Sequence, residues 1–209
     1  RQRFPGKRVE VTWPAWPEPA IKGDDTSVVR RIACLGSWSH AKDAGLITKA
    51  LHTVLKEEDN IEVCLTANNQ LHRKFHKYKS LTVVPAMNWA EYARWLREQR
   101  FDIGLYPLRD NRFNQARSVN KILEYAQTGA ITLLSDVWRS HELSDLEGAF
   151  IPVANDTEAW VLALRKAMSE HDERRTMLEE LQRKTAIRNV SARSRMLWAQ
   201  ILELDATPN

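Results

Sequence analysis

The sequence has little cysteine: Cys34 and Cys64 are the only two in 209 residues. Each lies inside a short apolar run, and two cysteines cannot staple a secreted scaffold. Buried free thiols in a reducing compartment are therefore expected. No stretch approaches the ~20 apolar residues needed to cross a bilayer. No secretory signal opens the chain, so a cytoplasmic location is expected, membrane-peripheral at most. One-sided charge is lacking too, since 31 lysines and arginines face 27 aspartates and glutamates. That excess is too weak to argue for nucleic acid, but it suits an anionic small ligand and admits peripheral contact with a membrane. There is no D-x-D-like run or His/Cys cluster, and the six histidines are scattered, so no metal and no cofactor is expected. Internal repeats are absent. Arg1 to Lys7 carries neither an initiator methionine nor a capping pattern, and the chain is read as a piece of a longer protein.

What is present is ordinary for a globular domain: 43% hydrophobic and 28% charged residues. Val9–Thr12 reads as a short strand. The Trp13-Pro14-Ala15-Trp16-Pro17-Glu18-Pro19 stretch after it forbids helix, so residues 1–26 read as an interdomain linker. A regular alternation follows. Strand-length apolar runs are Ile32–Leu35, Ile61–Leu65, Leu81–Val84, Ile103–Leu105, Ile131–Leu134 and Phe150–Val153. Helical patterns separate most of them: Ala44–Lys56, Trp89–Gln99, Val119–Thr128 and Thr157–Ser169. Continuous apolar strands alternating with amphipathic helices predict an α/β fold, a doubly wound, Rossmann-like, six-stranded parallel sheet of order 3-2-1-4-5-6 over residues 27–170. Two further helices, Asp172–Ile187 and Ala192–Leu204, are expected to pack on the same domain within residues 171–209. The charges of the first are expected to form a solvated, ion-paired face.

In such a sheet the ligand sits beyond the carboxyl ends of the strands, where strand order reverses between the first and fourth. After the first strand stands Gly36-Ser37-Trp38-Ser39-His40-Ala41-Lys42-Asp43. Gly36 permits close backbone approach. Ser37 offers a hydroxyl, and Lys42 a cation near a helix start. His40 is placed either as a ligand contact or as a solvent-facing loop residue. The stretch is neither a dinucleotide fingerprint nor a Walker loop. As a plain turn it would use Ser39 or Asp43 as a helix cap. After the fourth strand, a polar loop from Tyr106 to Ser118 opens a helix carrying Lys121 and Glu124, three apart and so on one face. Arg117, Ser118 and Lys121 form a cationic mouth for an anion. Glu124, one turn further in, suits the paired hydroxyls of a ribose, because an ionised carboxylate only accepts hydrogen bonds. Read plainly, Lys121 and Glu124 make a surface ion pair.

The stretch Phe101–Leu108, followed by Ala116-Arg117-Ser118-Val119-Asn120-Lys121-Ile122-Leu123-Glu124-Tyr125-Ala126-Gln127-Thr128-Gly129-Ala130, resembles the C-terminal donor-binding domain of GT-B glycosyltransferases of the glycosyltransferase group 1 type. Leu35–Ser37 with His40–Asp43, and Asn155–Trp160, extend the resemblance over about Ile32 to Ser169. It implies a nucleotide-diphosphate sugar as substrate, bound without metal. Glu124 would take the ribose. Lys121, Arg117 and the amides near Ser118 would face the diphosphate, with Gly36, Ser37 and Lys42 beside it. The base would rest near Val84-Pro85-Ala86, and the loop from Asp110 to Asn114, with Arg112, would approach the sugar. The pattern departs in three places. Ala130 replaces a proline after the helix glycine, Arg117 stands where an acidic residue is usual, and the arginine usual near the first strand is absent, leaving its role to Arg112 or Arg117. The resemblance further implies that an N-terminal acceptor domain is the missing partner, that the chain alone transfers nothing, and that the function is sugar transfer. Two alternatives stay open here: a non-catalytic nucleotide-binding domain, and an epimerase acting on nucleotide sugars.

Overall fold

The computed structural model describes residues 30–67, 71–137, 146–186 and Ala199. The expected linker, the C-terminal helix Ala192–Leu204 apart from Ala199, Trp138 and the side chain of Trp38 lie outside the described residues.

Six strands, β1 (Arg30–Cys34), β2 (Ile61–Thr66), β3 (Leu81–Val84), β4 (Ile103–Tyr106), β5 (Ile131–Ser135) and β6 (Ile151–Val153), form one sheet of order β3-β2-β1-β4-β5-β6. Every pairing is parallel. The sheet is therefore the expected doubly wound one, with each strand within two residues of its apolar run. The central strands are largely apolar because both of their faces are covered: β4 and β5 are buried at every position, Thr132 and Ser135 included.

Alternate residues feed two cores. Ile32, Cys34, Val63, Leu65, Ile103, Leu105, Ile131 and Leu133 point to one face. There they meet α2 (Thr48–Glu57) and Trp160 and Leu164 of α6 (Thr157–Ser169). Ala33, Leu35, Cys64, Tyr106 and Leu134 point to the other face, against α3 (Trp89–Glu98), α5 (Asn120–Ala126) and Leu181 of α7 (His171–Ala186). The period of two along each strand is what allows one sheet to serve both cores.

The helices begin where the side chains can cap them. Asn88 and Glu91 form a capping box on α3, and Asp156 accepts from the Ala159 amide at 2.7 Å to start α6. Two helices differ from expectation. The segment expected as Ala44–Lys56 begins earlier, as a 3-10 turn over Trp38–His40 and a short α1 (Ala41–Ala44), and passes through a second 3-10 turn before α2. That polar start gives no apolar period to detect. Neither Ser39 nor Asp43 caps α1, whose N-cap position is His40 with no side-chain capping bond. The helix expected to reach Thr128 ends at Ala126, because the Thr128 hydroxyl and the Ala130 amide both bond the Tyr125 carbonyl. Gly129, at φ +85°, then reverses the chain into β5.

Candidate functional site

Tyr125 ties the crossover together. Its hydroxyl accepts from the Leu35 amide at 2.9 Å and donates to the Leu105 carbonyl at 2.9 Å, joining the ends of β1 and β4. The ring lies flat against Gly104: a methyl group there would come within 2.2 Å of it. Gly36, just past β1, is held by Thr66 at the end of β2, which receives its amide bond (3.1 Å) and donates to its carbonyl (2.5 Å). The loop after β1 thus has a fixed course at the place where strand order reverses.

A polar network crosses this point from Gly36 toward β4. The His40 side chain packs against Gly36, leaving only 3.2 Å for any added Cβ. Arg117 Nη1 lies 3.0 Å from His40 Nε2. Arginine has no acceptor, so the imidazole Nε2 must supply the lone pair and Nδ1 carries the hydrogen. Nδ1 points toward Asp43 Oδ2 at 3.6 Å, an electrostatic contact beyond hydrogen-bond length. Asp43 is buried and also accepts from the Arg109 amide (3.1 Å) and Asn114 Nδ2 (3.0 Å). Burial pushes the Asp43 carboxyl up, but His40, the Arg109 amide and Asn114 outweigh it, and the group stays below the ordinary carboxylate value. Arg117 Nε donates to Asn114 Oδ1 at 2.9 Å, and its guanidinium lies 4.7 Å above the exposed Phe113 ring. Tyr106 also bonds to Arg117. Its hydroxyl is pushed up to about 12, by burial first, with Arg117 opposing.

Beside this network, Lys121 Nζ donates to Glu124 Oε1 at 2.6 Å. This is not the surface pair of a plain sequence reading: the two side chains are only 14% and 7% exposed. Tyr92 of α3 also donates to the same carboxylate oxygen. Burial, then the Glu124 charge, raises the Tyr92 hydroxyl well above its ordinary value, so it remains a donor. Lys121 sits close enough to the end of β1 to oppose the burial that pushes the Cys34 thiol up to about 12. Arg117 therefore reaches the loop at Gly36 through His40, while Lys121, paired with Glu124, lies near the end of β1.

The other expected residues are placed less closely. Ser37 is exposed and shares a hydrogen bond with Ser39 at 2.8 Å. Lys42 and Arg112 are exposed on α1 and on α4 (Arg112–Gln115), Pro85 is exposed just past β3, and Ser118 is partly covered before α5. Asn114 is buried, with its amide engaged by Asp43, the Arg109 carbonyl and Arg117. Sequence reasoning did not single out Tyr92, Thr66, Tyr106 or Tyr125, and it read Asp43 as a cap. The signal of Tyr92, Thr66 and Tyr125 was weak because each acts through a partner 20 to 90 positions away. Trp160, on α6, is fully buried, whereas Trp89, on α3, is 64% exposed. Among the described residues, no group of His, Cys, Asp or Glu is arranged to hold a metal ion.

No family model matches the sequence, and no curated protein matches it either. Solved structures do share its fold. A putative UDP-N-acetylglucosamine 2-epimerase from Listeria monocytogenes aligns at a TM-score of 0.57 and 11% identity, over 94% of this chain and 50% of that one. Trehalose-6-phosphate synthase aligns at 0.59 and 16% identity, over 94% of this chain and 48% of that one. The chain thus spans about half the length of these two proteins. The C-terminal domain of a glycosyl transferase group 1 family protein from Francisella tularensis aligns at 0.57 and 13% identity, over 85% of this chain and 95% of that domain. The fold is that of the C-terminal half of GT-B glycosyltransferases, as the sequence resemblance implied, and it is one that a 2-epimerase shares.

Proposed function

We propose that this chain is the donor-binding half of a sugar-transfer enzyme and takes a nucleotide-diphosphate sugar in the crevice between the ends of β1 and β4. The observations that support this reading are the shielded Lys121–Glu124 pair and the reach of Arg117, through His40, to Gly36. Glu124 accepts the ribose hydroxyls, with Tyr92 orienting its carboxylate. Lys121 has donors beyond the one Glu124 takes, and it faces the diphosphate together with Arg117. Arg117 takes the place of the arginine missing near the first strand, while Lys42 adds charge at the rim. As the sugar leaves, negative charge grows on the nucleoside diphosphate. Fixed cations in a shielded crevice stabilise that charge without a metal. The acceptor and any catalytic base belong to a second domain, so the chain alone binds and does not transfer. Several structures that share the fold carry UDP in their names, which makes UDP the first nucleotide to test.

Calorimetry of the 209-residue chain against UDP, GDP, ADP and dTDP tests the reading. Binding of one of them, weakened about tenfold or more by Glu124→Gln, is expected, because that change removes the charged acceptor and keeps the shape. Absence of binding to all four would leave a scaffold that kept the fold and lost the ligand. A second reading, epimerisation of a nucleotide sugar, draws support from two fold neighbours named as UDP-N-acetylglucosamine 2-epimerases. NMR of UDP-N-acetylglucosamine incubated with the chain separates the two. A second sugar-nucleotide epimer favours that reading, and unchanged substrate favours the first.

A further inference from the structure

We propose that the connection between β2 and β3, together with Lys56 of α2, is a docking surface for an anionic lipid bilayer. Between Glu62 and Glu91 the sequence has no acidic residue, yet it carries Arg73, Lys74, Lys77 and Lys79. Removing these four from the chain's 31 lysines and arginines leaves 27, equal to its 27 aspartates and glutamates. The entire formal excess of +4 therefore resides in this one connection, and the rest of the chain is balanced.

The fold concentrates that charge on one edge. The chain leaves the end of β2, passes through a 3-10 turn at Leu71–Lys74 and returns to start β3. Phe75 is buried and stacks on His52 of α2 at 4.3 Å, while the Tyr78 hydroxyl lies 3.0 Å from His52 Nδ1. These contacts turn the aromatic rings inward and leave Arg73, Lys74, Lys77 and Lys79 exposed, next to the exposed Lys56. The His52 imidazole registers the result: burial first, then the charges of Lys77, Lys56 and Lys74, hold its pKa below the ordinary value. Among the described residues, the ion pairs include none of Arg73, Lys74, Lys77 and Lys79.

The other basic element behaves differently. On α7, Arg175 lies within ion-pair range of Asp172 and Glu179, and Arg183 and Lys184 both reach Glu180. That helix is self-neutralised. The inward turn of Phe75 and the half-burial of Tyr78 also leave little aromatic surface on which bases could stack, which disfavours single-stranded nucleic acid. The exposed groups of this edge are cationic, so the attraction is one of charge. It is accordingly weak, reversible and salt-sensitive.

The test is co-sedimentation of the 209-residue chain with vesicles of phosphatidylcholine alone, and with vesicles in which about a third is phosphatidylserine, at about 0.15 M salt. The chain is expected to partition onto the second and not the first. The triple substitution Lys74→Gln, Lys77→Gln and Lys79→Gln should lower that partitioning about a hundredfold, at roughly fivefold per charge. The control Arg175→Gln, Arg183→Gln and Lys184→Gln removes the same charge from α7 and should change it less than about fivefold. Circular dichroism of both triples should match the parent. Equal loss in both triples would overturn the assignment, as would partitioning that ignores lipid charge. So would a DNA duplex that strips the chain from the vesicles.

Discussion

Gly104→Ala is the sharpest perturbation of the crossover. The added methyl would stand 2.2 Å from the nearest Tyr125 ring atom, and contact becomes tolerable only near 3.4 Å, so the ring must retreat by about 1.2 Å. It cannot do so freely, because its hydroxyl is held at 2.9 Å by both the Leu35 amide and the Leu105 carbonyl. Overpacking of a tight core costs about 1–3 kcal/mol. Stranding the buried Leu35 amide adds about 1–3 kcal/mol. The combined loss, about 2–6 kcal/mol, is a large share of the stability of a domain this size. Urea unfolding followed by tryptophan fluorescence measures it. In a Tyr125→Leu background the same glycine substitution should cost far less, since the ring it collides with is gone. If Gly104→Ala costs under about 0.5 kcal/mol, or costs the same in both backgrounds, the picture of a glycine kept open for Tyr125 is wrong.

Two further outcomes follow from the same geometry. Because the Asp43 carboxyl sits below its ordinary value in the folded chain, its contribution to stability is present above the unfolded value of about 3.9 and is lost as pH falls through the lower folded value. Asp43→Asn should therefore be less stable than the parent at pH 7, with the gap closing below about pH 4 in urea titrations. Burial raises the Cys34 and Cys64 thiols to about 12, so neither should react with iodoacetamide in the folded chain at pH 8, and both should react in denaturant.

Much of the architecture was legible in the residues. Apolar runs separated by helical periods announced a parallel sheet, since only a strand covered on both faces can afford a run like Ile103–Tyr106. Strand order followed from that class, and it predicted the crossover between β1 and β4 as the place to find Gly36, Arg117, Lys121 and Glu124. Helix starts were legible where a local side chain caps them, as at Asp156.

The partners of those residues belonged to tertiary structure. Tyr92 meets Glu124 across 32 positions, and Tyr125 reaches the Leu35 amide across 90. Asp43 looked like a helix cap and proved to be a buried acceptor for a loop 66 positions away. The Lys121–Glu124 spacing announced a pair, but only the packing of α3 against α5 decided that water would be largely excluded from it. Periodicity and capping are local properties that a chain displays in order. Desolvation and the choice of hydrogen-bond partner depend on which distant segments the sheet brings together.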